Sequence, residues 1–181
     1  MIGLPSRHAR RSASDARDDL AVQEAWRTLE MVLGLVRHAE TKALAVLATA
    51  GVLGQVLTLV ARTGPGVADP IGTVSIAICG AVIAGSGVAA GSALVPRLGS
   101  SAAPRNPLFF GHVGAHRGYS PTSYAAEFAR TARAPHEIIA HVATQIWENS
   151  AIARRKFRLA NIAIILLLVA ITYLAVLACL S

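Results

Sequence analysis

The chain has 181 residues, of which 54% are hydrophobic, and its formal net charge is +7 at pH 7. Its mean hydropathy is +0.51, and the apolar residues are concentrated in three uncharged stretches: 43–61, 71–95 and 159–180. A helix needs about 20 apolar residues to cross a bilayer, and a soluble chain of this length could hardly bury three such helices. The composition therefore argues against a soluble domain and predicts an all-α membrane protein with three transmembrane helices.

The basic residues predict the orientation of these spans, because segments rich in Lys and Arg remain in the cytoplasm. Seven precede the first span and nine separate the second from the third, whereas the link at 62–70 holds only Arg62. We expect a cytoplasmic N-terminus, an outside hairpin at 62–70, a cytoplasmic segment at 96–158 and an outside C-terminus. Anionic lipid headgroups or an anionic ligand explain the positive charge, which we do not interpret as a nucleic-acid signal.

The N-terminal region is expected to combine a tail and a long helix. Residues 1–13 are basic and lack periodicity, which is typical of disorder. Ser14 or Asp15 can cap a helix over 14–42 that continues into the first span. No apolar core with a cleavage site precedes that span, so it should remain in the mature protein. An apolar seam with bundle-type spacing runs along this helix: Val22, Trp26, Leu29, Leu33 and Val36.

The second span is bounded by turn residues and is rich in small side chains. The link from Thr63 to Pro70 contains two Gly and two Pro, which prevent one continuous helix, and Pro96 ends the span. Gly87 and Gly91 stand four residues apart, a spacing that lets helix backbones approach closely. Packing against the other two spans and self-association both fit this pattern.

The segment between the second and third spans is expected to contain two helices. Ser120 followed by Pro121 predicts a helix start, and this helix should end near Arg133. A last helix should begin near Pro135 and run unbroken through Phe157 into the third span. Together with the helix over 14–42, these helices are expected to form a small cytoplasmic bundle, within one chain or across subunits. The apolar face of the last helix comprises Ile138, Val142, Ile146, Ala153 and Phe157.

Residues that could carry catalysis or bind a metal are sparse. His112 and His116 are four apart, as two metal ligands on one helix face would be, but interleaved glycines favour loop histidines or ligand contacts. Cys79 and Cys179 each lie in a span, where cysteine behaves as a small hydrophobe. The sequence contains no nucleophile–base motif and no phosphate-binding glycine-rich loop. We therefore predict that the chain is not an enzyme and holds no metal or cofactor.

A polar constellation is expected at the inner edge of the membrane. Glu40 and Lys42 end the first juxtamembrane helix, and Gln145, Asn149 and Lys156 share one stripe of the last helix. One interpretation is anchoring at the membrane edge, with the two lysines reaching the headgroups. The other is a ligand site between the two helices.

Three short motifs in this order resemble the transmembrane effector family of the Pycsar antiphage system. They are AETKA at 39–43, FFGH at 109–112 and NSAIARRKF at 149–157, and the resemblance covers roughly residues 36–180. The sequence departs from the family pattern in two places. Glu40 stands where the family more often has Asp, and Phe157 where Tyr is commoner.

The resemblance implies an effector of the bacterial inner membrane that is activated by cyclic UMP or cyclic CMP from a partner cyclase. The effector, expected to be a homo-oligomer, would then impair the membrane and cause abortive infection. Lys and Arg would hold the phosphate, and Tyr119 or Tyr124 would stack on the base. The alternative is a constitutive membrane scaffold whose helical bundle docks a protein partner. A small transporter subunit is disfavoured, because the spans hold no charge. The candidate ligand-binding residues are Glu40, Lys42, His112, Arg117, Tyr119, Gln145, Asn149 and Lys156.

Overall fold

The computed structural model describes residues 7–63, 70–96, 106–113 and 118–180. Four α-helices and one short 3-10 helix, at Phe110–His112, account for most of these residues, which include no β-strand. The all-α prediction is therefore confirmed. The α-helices are α1 (Arg7–Thr63), α2 (Pro70–Leu94), α3 (Pro121–Ala132) and α4 (Pro135–Leu180).

The N-terminal part of α1 differs from the prediction. The helix begins at Arg7, so the expected disorder of residues 7–13 is wrong, and neither Ser14 nor Asp15 caps the helix. Arginine and alanine dominate this stretch and have high helix propensities, so it extends the helix that follows. The remainder of the predicted tail, residues 1–6, lies outside the described residues.

The ends of α3 and α4 follow the prediction. The Ser120 hydroxyl accepts a hydrogen bond from the Ser123 backbone N–H at 3.1 Å, while the Ser123 hydroxyl accepts one from the Ser120 backbone N–H at 2.9 Å. This reciprocal capping box starts α3, and Pro121 occupies its first turn. The helix α4 begins at Pro135 and continues unbroken to Leu180. Residues 64–69 of the link predicted at 62–70 lie outside the described residues, as do residues 97–105 of the segment predicted at 96–158.

The chain divides into two compact units. The first unit comprises residues up to Gly34 together with Arg97–Ala151, and the second comprises Leu35–Pro96 together with Ile152–Ser181. The helices α1 and α4 therefore each contribute residues to both units. Within the first unit, the predicted apolar faces turn inward only in part, because Leu29 and Val142 are buried whereas Trp26 is 37% exposed.

The core of the second unit consists mostly of small side chains, and many of its large apolar side chains point outward. Leu44 and Leu168, for example, are more than half exposed. Small residues inside and large ones outside suit helices that are surrounded by lipid. Among the described residues, α1, α2 and α4 are each long and apolar enough to cross a membrane. The buried core comprises Ala43, Val46, Ala50, Leu57, Cys79, Ile83, Ala90, Ala93, Ala160, Ala163, Leu167 and Ala170.

The small residues of α2 allow close packing within the chain. A Cβ atom placed on Gly80 would lie 3.4 Å from Leu57 of α1, and one on Gly85 would lie 3.7 Å from Leu166 of α4. Next to Gly85, the buried hydroxyl of Ser86 donates a hydrogen bond to the Ala163 carbonyl oxygen of α4 at 2.8 Å. These residues of α2 therefore support its packing against both neighbouring helices.

Candidate functional site

In the first unit, a buried hydrogen-bond network surrounds Asn106. Its backbone N–H donates to His112 Nδ1 at 3.2 Å, and its side-chain Nδ2 donates to the His141 carbonyl oxygen of α4 at 3.0 Å. Its Oδ1 accepts from the Leu108 backbone N–H at 2.9 Å. The network fastens the turn that carries His112 to α4. His112, a candidate ligand residue, is itself buried and therefore has a structural contact in this turn.

A row of aromatic rings follows the same turn. Tyr119 is buried and meets Tyr124 edge to face, with 5.8 Å between ring centroids, and Tyr124 in turn lies 6.0 Å from Phe128. The Tyr124 hydroxyl donates to the Pro107 carbonyl oxygen at 3.2 Å, which fixes the orientation of its ring. Of the two tyrosines predicted to stack on a base, Tyr124 is the less buried.

An open groove with a volume of about 580 Å³ runs along this aromatic row. Phe110, at its wall, is 73% exposed. The groove could not be predicted from local sequence patterns, because its lining residues are brought together only by the tertiary fold. They are Trp26, Pro107, Leu108, Phe110, Val113, Tyr124 and Phe128.

Two further candidate residues, Gln145 and Asn149, lie on α4 in the first unit. Gln145 is buried, and its Nε2 has no acceptor among the described residues. Asn149 donates its Nδ2 to the backbone carbonyl oxygen of Gln145 at 2.8 Å. A buried amide without a partner is uncommon, so Gln145 is a polar group whose surroundings call for a contact.

The remaining described candidates, Glu40, Lys42 and Lys156, lie in the second unit. The Lys156 ammonium donates to Glu40 Oε1 in an ion pair between α4 and α1, and the Lys156 side chain is only 8% exposed. Close by, Lys42 Nζ lies 5.9 Å from the centroid of the Phe157 ring, within cation–π range. These four residues, Glu40, Lys42, Lys156 and Phe157, form what we term the α1–α4 clasp. The sequence selected three of them but did not predict the pairing of Glu40 with Lys156.

Arg117 and His116 lie outside the described residues. Among those that are described, no group of three or more His, Cys, Asp or Glu side chains could hold a metal ion.

An ion pair joins the end of α3 to the start of α4, since Arg130 Nη1 donates to Glu137 at 2.7 Å. This hydrogen bond, with the charge of Glu137, raises the pKa of the Arg130 guanidinium above its ordinary value. The pair is exposed and therefore contributes little to stability.

These features define a class of protein: a helical membrane protein with a small-residue core in one unit and a polar and aromatic site in the other. Residues 24–181 match the family described as Pycsar effector protein domain. The chain is also 31% identical over 169 residues to the Pycsar effector protein PtPycTM of Propioniciclava tarda. The aligned region covers 92% of this chain and 83% of that protein. No solved structure matches. The chain belongs to the Pycsar effector family, and the resemblance predicted from its motifs is confirmed.

Proposed function

We propose that this antiphage effector is activated by a cyclic pyrimidine mononucleotide, cyclic UMP or cyclic CMP, made by a partner cyclase. Once activated, it impairs the bacterial inner membrane, so that the infected cell dies before phage are released. Membership of the Pycsar effector family over residues 24–181 carries the proposal. The three long apolar helices support the membrane as its place of action. In this proposal the protein is a homo-oligomer and acts without enzymatic activity.

The distribution of charge supports an orientation with the N-terminus inside and the C-terminus outside. Basic residues precede the first and the third span in the sequence, whereas only Arg62 lies at the other end of the first span, in the last turn of α1. Lys and Arg favour the cytoplasmic side. The exposed basic residues beside the spans are Arg37, Lys42, Arg154, Arg155 and Arg158.

The proposed ligand contacts remain the eight residues selected from the sequence. The phosphodiester of a cyclic mononucleotide carries one negative charge, which suits Lys42, Lys156 and Arg117. Amide and aromatic groups suit the base. Of the seven contacts that the structure describes, His112, Tyr119, Gln145 and Asn149 lie in the first unit. The other three, Glu40, Lys42 and Lys156, lie in the second.

The direct test of gating is to titrate the purified protein with cyclic UMP and cyclic CMP, with cyclic AMP as the control ligand. We expect one of the pyrimidine nucleotides to bind and cyclic AMP not to bind. Asn149→Ala should weaken binding by about tenfold, the loss expected for about one hydrogen bond to a charged or polar ligand. Asn161→Ala, a matched change on the exposed face of α4, should leave it unchanged. If neither pyrimidine nucleotide binds, the proposed activation is wrong.

The proposed output is tested separately in cells. Co-expression with a pyrimidine nucleotide cyclase should collapse the membrane potential before viability is lost. Cells that die with an unchanged potential would indicate an output other than membrane impairment.

A second candidate function, a constitutive scaffold for a protein partner, is favoured by the aromatic groove. Exposed Phe110 and Phe128 present a concave apolar surface of the kind that marks interaction sites. A scaffold predicts a stable complex on pull-down, lost in Phe110→Ser, and no response to nucleotide. A nucleotide response that survives Phe110→Ser would count against it.

A further inference from the structure

We propose that the α1–α4 clasp is the latch on which the activating anion works. In this proposal, the phosphodiester takes the place of Glu40 on Lys156, and α1 and α4 then separate at this end of the second unit. The inference rests on the proposed activation by a cyclic nucleotide and specifies how that ligand would act on the spans.

The latch depends on the burial of Lys156. Among ion pairs between described residues, only this one includes a side chain that is less than a tenth exposed. A buried ammonium without a counter-charge is strongly unfavourable. Glu40 therefore allows Lys156 to stay between α4 and α1, and loss of Glu40 requires either another anion or a different packing.

The clasp is open to exchange on its acidic side. The Glu40 side chain is 38% exposed, so solvent can reach the carboxylate, and the exposed Lys42 beside it can attract an anion. Once Glu40 has left, the two lysines face one phosphodiester, which carries the same single negative charge as the carboxylate that it replaces. A phosphodiester oxygen can accept the same hydrogen bond from Lys156 that the carboxylate accepts.

Beside the clasp, the buried residues of α1 and α4 are small. The neighbouring residues Ala39, Ala43, Ala153 and Ala160 are all buried, but a methyl group buries little apolar area. In a bilayer, the lipid tails offer these surfaces an environment as apolar as the protein. Close packing and the polar clasp therefore both contribute to the attraction between α1 and α4 here.

Exchange at Lys156 also supplies the differential affinity that a switch requires. A ligand shifts an equilibrium only if it binds one state better than the other. The phosphodiester binds Lys156 only after Glu40 has left, so its binding favours the separated packing. Two substitutions can imitate that state without any ligand.

The experiment measures viability and membrane potential in a bacterial host that lacks the cyclase. Glu40→Gln keeps the shape of the side chain but removes its charge, and we expect viability to fall by about tenfold or more, with depolarisation. Lys156→Gln should have the same effect. The double variant E40K/K156E restores the pair in reverse and should return viability towards the wild-type value. Glu30→Gln, at an exposed glutamate of α1, is the matched control and should be silent.

Parallel expression with the cyclase separates the possible outcomes, with membrane abundance measured for each variant. A Glu40→Gln protein that is silent alone yet active with the cyclase overturns the latch, as does a reversed pair as toxic as the single variants. If the single variants are silent under both conditions, recovery of cyclase-dependent activity in the reversed pair supports the latch, and its continued silence overturns it. If Glu40→Gln is toxic but the wild-type protein does not respond to the cyclase, the latch is supported and activation by the nucleotide is wrong.

Discussion

The two units bury different kinds of side chain. Alanine occupies most core positions of the second unit, and many of its large apolar residues point outward. The first unit instead buries polar groups, among them Asn106, His112 and Gln145, and fastens its turn to α4 by hydrogen bonds. The second unit thus has the composition of a helical assembly in lipid, and the first that of a domain stabilised in water.

The difference determines what holds each unit together. In lipid, helices associate through close approach and a few polar contacts, here the hydrogen bond from Ser86 and the ion pair of Lys156 with Glu40. In water, burial of apolar surface and satisfied polar groups dominate.

Each unit contains its own residues with which unfolding can be followed. Both tryptophans, Trp26 and Trp147, lie in the first, while buried Cys79 lies in the second.

The largest expected effect follows from overfilling the alanine core. Ala163→Leu forces a large side chain between α2 and α4 and should destabilise the second unit by about 3 kcal/mol. The rate at which a maleimide alkylates Cys79 in mixed micelles, in a Cys179→Ser background, measures this. Ala175→Leu, at an exposed position of α4, is the control, and an equal effect of both changes would contradict the assignment of the inner face.

The next effect concerns the polar network of the first unit. Asn106→Ala removes two side-chain hydrogen bonds and leaves the His141 carbonyl and the Leu108 N–H without them, at a cost of about 2 kcal/mol. Unfolding followed by tryptophan fluorescence should shift accordingly. Asn149→Ala, which loses only a bond within its own helix, should shift it much less. Similar shifts for the two variants would show that Asn106 does not organise the unit.

Much of this architecture is encoded locally and could be predicted. Charge-free stretches of sufficient length predict the spans, and Ser120, Pro121 and Pro135 predict the ends of α3 and α4, because caps and prolines act over a few residues. The helical stretch at 7–13 was missed, since its lack of apolar periodicity concealed a good helix propensity.

The site was only partly predictable, because its contacts join distant parts of the chain. Glu40 and Lys156 were each selected as polar groups at a membrane edge, yet nothing local indicates that they pair. The aromatic groove combines Trp26 of α1 with Phe110 and Phe128, and no spacing in the sequence relates these residues. Such contacts depend on the tertiary fold and require a structure.

A smaller effect is expected at the start of α3. Ser120→Ala removes the capping box and should destabilise the first unit by about 1 kcal/mol, measured by tryptophan fluorescence. Thr122→Ala, at an exposed position of the same first turn, is the control. A change within experimental error for Ser120→Ala would mean that α3 contributes little to the first unit.

The smallest effect on stability is expected for Ser86→Ala. Ser86→Ala removes a buried hydrogen bond between α2 and α4, but such bonds in membranes contribute only about 0.6 kcal/mol on average. Alkylation of Cys79 should accelerate slightly, and less than in Ala163→Leu. Ser92→Ala, which loses a bond within its own helix, is the control. A loss of stability for Ser86→Ala that is larger than the loss for Asn106→Ala would reverse the comparison between the units.

The central claim is that a cyclic pyrimidine nucleotide activates this three-span protein to impair the membrane. The most direct measurement is dye release from vesicles that contain the purified protein, with cyclic UMP, cyclic CMP or cyclic AMP added at saturating concentration. The account predicts release with one of the two pyrimidine nucleotides and intact vesicles with cyclic AMP. Vesicles that stay sealed with all three nucleotides, while the protein is correctly inserted, would contradict it.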